Sequence, residues 1–147
     1  MASYRHLART CVMQAIHVLE FHGGEPDKVL EELLNEFAPK LSEREFAYDL
    51  LHGVEEHKKE IKKIIQKFAP AWPIDKIANI DRAILELACY EIVFRSDIPQ
   101  VVAINEAIEI AKHFGDFNSP KFINGVLSSV MQANKRNDPP KQKKEDE

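Results

Sequence analysis

Cysteine is nearly absent from this chain. Cys11 and Cys89 are the only two in 147 residues, and each lies among apolar residues spaced as on a helix. They read as small core residues, and with no sign of secretion a disulfide is not expected. Long apolar runs are also missing. No stretch reaches the roughly 18 residues that span a bilayer, and the N-terminus lacks the apolar core of a signal peptide. The expectation is a cytoplasmic protein with no membrane contact. Glycine is sparse, at five residues, and none forms a phosphate-cradling loop. GxSxG, HExxH and CxxC are absent as well. His17 and His22 are five apart, as are His52 and His57. That spacing turns about 140° on a helix, so neither pair can hold a metal from one face. No catalytic residue, cofactor or metal is expected, and the chain reads as a non-enzyme.

A strong charge of one sign is lacking too, since the formal net charge is only −4. The distribution is uneven, however. Residues 1–19 carry Arg5 and Arg9 and no acid, whereas residues 20–57 carry eleven acids against Lys28, Lys40 and Arg44. Residues 58–68 turn basic, with five lysines against Glu60, and residues 112–136 are mildly basic. Local cationic patches on an acidic protein can still hold nucleic acid, because the field close to the phosphates decides.

What is present is helical periodicity almost throughout. A first helix is predicted from about Ser3 to Phe21 on the stripe Ala8, Cys11, Val12, Ala15, Ile16 and Leu19, stopped by Gly23 and Gly24. Pro26 and Asp27 restart the chain. Val29, Leu30, Leu33, Leu34 and Phe37 then mark a short helix that ends before Pro39. Ser42 with Glu45 reads as a capping box. The stripe behind it runs from Phe46 to Val54 and continues from Ile61 to Phe68, as one long helix or two broken near His57. Pro70 and Pro73 bracket Trp72 in a turn. Residues 79–94 are apolar around most of the circumference, which predicts a central buried helix with Asn79 as its N-cap and Asp81 in its first turn. A helix after Pro99 ends at Gly115, and Ser119-Pro120 reads as the cap and first position of the last one. Gly125 inside that helix reads as a close helix–helix approach, with room for a ligand as the alternative. Short connections between amphipathic helices give an all-α, compact bundle of about seven helices. One domain over residues 1–133 is expected, followed by a disordered charged tail at 134–147.

One segment stands out against this background: Phe114-Gly115-Asp116-Phe117-Asn118-Ser119-Pro120-Lys121-Phe122. A plain link between two helices would explain it. A second reading notes that a helix N-terminus offers N–H groups and positive dipole to a phosphate, with Lys121 adding a charge. Asn118 and Ser119 supply groups able to read a base edge, and a partly exposed Phe122 would stack on an unpaired base. Arg5, His6 and Arg9 form a candidate second patch, because residues 5 and 9 share a helix face.

Val102 to Lys112, Phe114-Gly115 and Lys121 to Leu127 together resemble the C-terminal signature of the NusB family of transcription antitermination factors. Tyr90-Glu91-Ile92, Arg95 to Pro99 and the start Arg5-His6-Leu7-Ala8-Arg9 are further matches, and the similarity spans residues 4–133. The resemblance implies two small packed helical subdomains. It implies binding of single-stranded boxA-type RNA in ribosomal RNA leader transcripts, together with the ribosomal protein that acts as NusE, within the RNA polymerase antitermination complex. It places the RNA surface at Arg5, His6, Arg9, Gly115, Asp116, Phe117, Asn118, Ser119, Lys121 and Phe122. The partner surface falls at Asp75, Asp81 and Glu86, acids facing a basic ribosomal protein. The first helix is poorer in arginine than in relatives, so fewer phosphates are neutralised and weaker, less salt-sensitive binding is expected. The alternative is a protein–protein helical scaffold with little RNA affinity of its own. The helical domain also occurs fused to ribosomal RNA cytosine methyltransferases, but the expected disordered tail argues against reading this chain as a fragment of such an enzyme.

Overall fold

Seven α-helices and a single 3₁₀ turn, with no strand, occupy residues 4–134, the described part of the computed structural model. The all-α expectation is met. The charged tail lies outside the described residues from 135 onward. Asn134, expected to open it, instead caps the last helix, its side-chain amide donating to the Ile92 carbonyl at 2.9 Å. No described helix is long and apolar enough to cross a membrane.

The helices fall into two compact units, meeting in sequence between Glu56 and His57. In the first, α1 (Tyr4–His22) packs against α2 (Pro26–Phe37) and α3 (Glu45–Glu56). Gly23 and Gly24 make the α1–α2 turn with φ of 68° and 116°, where an L side chain is strained. Ala8, Val12 and Ala15 of α1 meet Leu30 and Leu34 of α2 and Ala47, Leu50 and Val54 of α3 in a closed core. Cys11 is buried with them, and burial pushes its thiol pKa up. The expected capping box does not form. Ser42 lies outside α3, and it is the Arg44 carbonyl that accepts the first helical bond, from the Tyr48 N–H. The Arg44 side chain reaches back to the Leu41 carbonyl at 3.0 Å and to Asn35 at 2.8 Å.

The stripe from Phe46 to Phe68 is two helices, with the break at His57. There α4 (Lys58–Phe68) begins the second unit, which continues through α5 (Asn79–Phe94), α6 (Gln100–Phe114) and α7 (Ser119–Ala133). α5 packs against α4, α6 and α7, as its apolar circumference predicts. Its polar positions are buried too: Asp81, Arg82, Glu86 and Glu91 are all below a tenth exposed. Ala78, not Asn79, holds the N-cap position. Cys89 is fully buried, and desolvation, with Glu86 adding to it, pushes its thiol up to about 12. Its full burial makes it a core residue. Arg95 grips Asp97 through two bonds of 2.9 and 2.8 Å and sets the turn into α6.

Candidate nucleic-acid interface

The residues expected to face RNA lie in two places, one in each unit. On α1, Arg5 and Arg9 share a face as the spacing requires. That face looks onto the Phe46 ring of α3, with the guanidinium carbons 4.3 and 5.2 Å from its centre. Arg9 is only 1% exposed. It is therefore a packing residue, and its place in the RNA surface is corrected: an aromatic from a distant part of the chain covers it through a cation–π contact. Arg5 and His6 remain half-buried and reachable. Arg9→Ala removes a long buried stem and should lower the unfolding free energy by about 2–4 kcal/mol in urea titrations. Unchanged stability with lost RNA affinity would return Arg9 to the surface.

In the second unit the segment after α6 is a tightly pinned loop. Gly115 caps α6 with φ −90° and ψ −173°. A Cβ built on it would lie 2.5 Å from both Cβ and Oγ of Ser119, so only glycine passes this point unhindered. The Asp116 carboxylate accepts the N–H of Asn118 at 2.8 Å and of Ser119 at 3.1 Å. This corrects the expectation of a vacant helix N-terminus. An internal carboxylate already occupies the anion seat, and Pro120 has no N–H to offer.

Ser119 is corrected as well. It is 1% exposed and cannot read a base edge. Its hydroxyl accepts the Asp116 N–H at 2.9 Å and has the carboxylates of Asp116 and Asp81 in reach as acceptors. The N-cap position belongs to Asn118, whose side chain is exposed and caps nothing. Lys121 is exposed and Phe122 half-buried. Phe117, which the resemblance places in the RNA surface, is 97% exposed.

Beside the loop runs a groove of about 220 Å³, lined by Trp72, Lys76, Ile77, Asp81, Asn118 and Phe122 among others. Sequence reasoning missed Trp72, which is 56% exposed. The signal lay in Gln66: its amide donates to the Trp72 carbonyl and its oxygen accepts the Ile74 N–H, both at 2.8 Å. One side chain thereby fixes the Pro70–Pro73 turn.

Of the expected partner-facing acids, Asp75 is exposed in the 3₁₀ turn Ile74–Lys76. Asp81 and Glu86 are 7% and 3% exposed, which corrects their placement on a surface. α5 is so central that even its polar face is covered. Burial pushes the Asp81 carboxyl above the usual carboxylate range; the Ser119 hydrogen bond opposes the rise and nearby Asp116 adds to it. A raised folded pKa means the linked stability is full below the unfolded value and is lost as pH rises through the folded one. Asp81→Asn keeps an acceptor for Ser119 and sheds the buried charge. It should raise the melting temperature by a few degrees at neutral pH, the gain shrinking toward zero as the pH is lowered through the usual carboxylate range. A gain that persists in acid would rule out the buried charge as its source. Gly125 is exposed on α7, with nothing within 4 Å of an added Cβ, so the close helix–helix approach expected there is not made.

Comparison with known proteins gives one consistent answer. The NusB family model matches residues 6–132. The transcription antitermination protein NusB of Geobacter sulfurreducens is 44% identical over 130 residues, covering 88% of this chain and 94% of that relative. The crystal structure of T. maritima NusB matches with a TM-score of 0.79 at 36% identity, over 90% of this chain and 93% of that one. A crystal structure of the antitermination factors NusB and NusE in complex with double-stranded RNA matches with a TM-score of 0.80 at 26% identity, over 88% and 97%.

Proposed function

The chain belongs to the NusB family, and from that premise we propose that it is a transcription antitermination adaptor and not an enzyme. Residues 1–133 act as one domain that binds single-stranded boxA-type RNA in ribosomal RNA leader transcripts. They do so jointly with the ribosomal protein acting as NusE, and the complex helps RNA polymerase read through terminators. The observation that carries this reading is the pinned loop Gly115–Phe122. It presents a fully exposed Phe117, an uncommitted Asn118 side chain and Lys121 beside the half-open aromatic groove of Trp72 and Phe122. Exposed rings on a rigid loop suit unpaired bases, whose faces are free to stack, better than a duplex. Exposed Asp75 supplies an acid for a basic ribosomal partner.

Filter binding with a boxA-type strand, a duplex competitor and the ribosomal protein tests the reading. The single strand should bind more tightly when the protein partner is present, and should outcompete the duplex. The salt dependence should be shallow, because Arg9 is withdrawn and few cations meet phosphate. The buried Arg9 also favours a second reading, a protein–protein scaffold with little RNA affinity of its own. Absence of RNA binding at low salt with the partner present would select it.

A further inference from the structure

α2 carries two apolar rows, and the first unit fully buries only one. Leu30 and Leu34 are fully buried against α1 and α3. Val29, Leu33 and Phe37, each one turn apart, form the second row. Val29 and Leu33 are half-buried and Phe37 is 53% exposed. Val18 of α1 meets this row, and Phe21, three residues on along α1, is 47% exposed. Between the helices lies a groove of about 210 Å³ lined by Val18, Val29, Leu33, Glu32 and Glu36. The two glutamates, at i and i+4, make one bank acidic, and Glu25 and Glu31 on the same helix end are exposed as well.

We propose that this α1–α2 groove is a docking site for a cationic amphipathic helix of another protein, with aliphatic anchors seated on Val18, Val29 and Leu33 and lysines or arginines against Glu32 and Glu36. An apolar trough of this shape takes anchors at i, i+3 or i+4 and i+7 of a partner helix, and the acids select a basic one. Two other occupants fit poorly. Residues 135–147 hold no aliphatic or aromatic side chain to fill the trough. A second copy brings one cationic amphipathic helix, α4, but its anchors Ile61 and Ile65 are fully buried in their own unit. The site lies wholly in the first unit and does not rest on the RNA reading.

The test titrates the isotope-labelled full chain with a leucine–lysine amphipathic peptide of about four turns, its scrambled isomer and a leucine–glutamate counterpart, followed by amide shifts. Saturable shifts at Val18, Val29 and Leu33 are expected with the amphipathic lysine peptide, at least about ten-fold tighter than with the scramble. Glu32→Lys with Glu36→Lys, both exposed, should weaken it about ten-fold and admit the glutamate peptide. Equal binding of the scramble, shifts centred elsewhere, indifference to the charge reversal, or a concentration-dependent dimer closing over the groove would each overturn the proposal.

Discussion

Phe117→Ala is expected to weaken binding of a boxA-type single strand by about 1–3 kcal/mol, or roughly five- to 150-fold, while leaving the melting curve unchanged. The two halves of that expectation have one cause. Phe117 is 97% exposed, so its ring contributes almost no packing to the fold, and truncating it should stay within about 0.5 kcal/mol of neutral. The loop beneath it is held by the Asp116 carboxylate on the N–H groups of Asn118 and Ser119. Little conformational entropy is then left to lose when a base arrives, and stacking appears almost undiluted as affinity. Phe122→Ala should behave differently. Phe122 is half-buried beside the core residue Ile123, so its loss should lower the melting temperature and the affinity together. Phe117→Tyr preserves a stacking face and should bind like the parent. Undiminished affinity in Phe117→Ala would leave the Trp72–Phe122 groove as the sole platform.

The helices were legible because each needs one apolar stripe, and the stripes stand in the sequence at three and four. Only the break at His57 stayed open, since Ile61 and Ile65 continue the register of Leu50 and Val54 and periodicity cannot see a turn that conserves phase. The caps slipped for a related reason. Asn79, Ser119 and Ser42 have side chains suited to capping, but Ala78, Asn118 and Arg44 hold the positions. Residue type says what can cap, while packing decides where the helix begins.

The site was half legible. Its loop announced itself through Gly115, Asn118 and Ser119-Pro120, yet the tasks within it are distributed otherwise than residue type suggests. Ser119 bonds to Asp116 and Asp81, the Asp116 carboxylate holds the N–H groups of Asn118 and Ser119, and Phe117 is left facing solvent. The face that residues 5 and 9 share, and the family resemblance, both put Arg9 on the RNA surface. Its burial depends on Phe46, 37 residues away in sequence, and no local pattern reports such a contact. Asp81 and Glu86, which the resemblance places on the partner surface, are covered because a helix packed on three sides buries its polar face as well. The second apolar row of α2 was visible as residues, but only packing shows that Phe37 stays 53% exposed.

Gly115→Ala should cost about 1–3 kcal/mol of stability and most of the RNA affinity. The backbone itself would tolerate alanine, because φ −90° and ψ −173° are ordinary for any residue. The obstacle is steric. The new methyl would stand 2.5 Å from Cβ and Oγ of Ser119 and 3.0 Å from the Ala111 carbonyl oxygen. Neither neighbour is a loose chain end. Ser119 is 1% exposed and holds the Asp116 N–H at 2.9 Å, and the Ala111 carbonyl accepts the Gly115 N–H at 2.9 Å. The loop must therefore move as a body, breaking hydrogen bonds worth about 0.5–1.5 kcal/mol each and displacing Phe117 and Asn118 from their presented positions. Gly125→Ala is the counter-case: on an exposed helical turn with an unobstructed Cβ, it should stabilise by up to about 1 kcal/mol. A double-mutant cycle isolates the cause. Ser119→Gly removes both atoms that collide and loses its own hydrogen bonds, so Gly115→Ala added to it should cost far less than in the parent. Additive losses would mean that the contact with Ser119 is not what demands a glycine here, and that the loop is shaped by something other than this close approach.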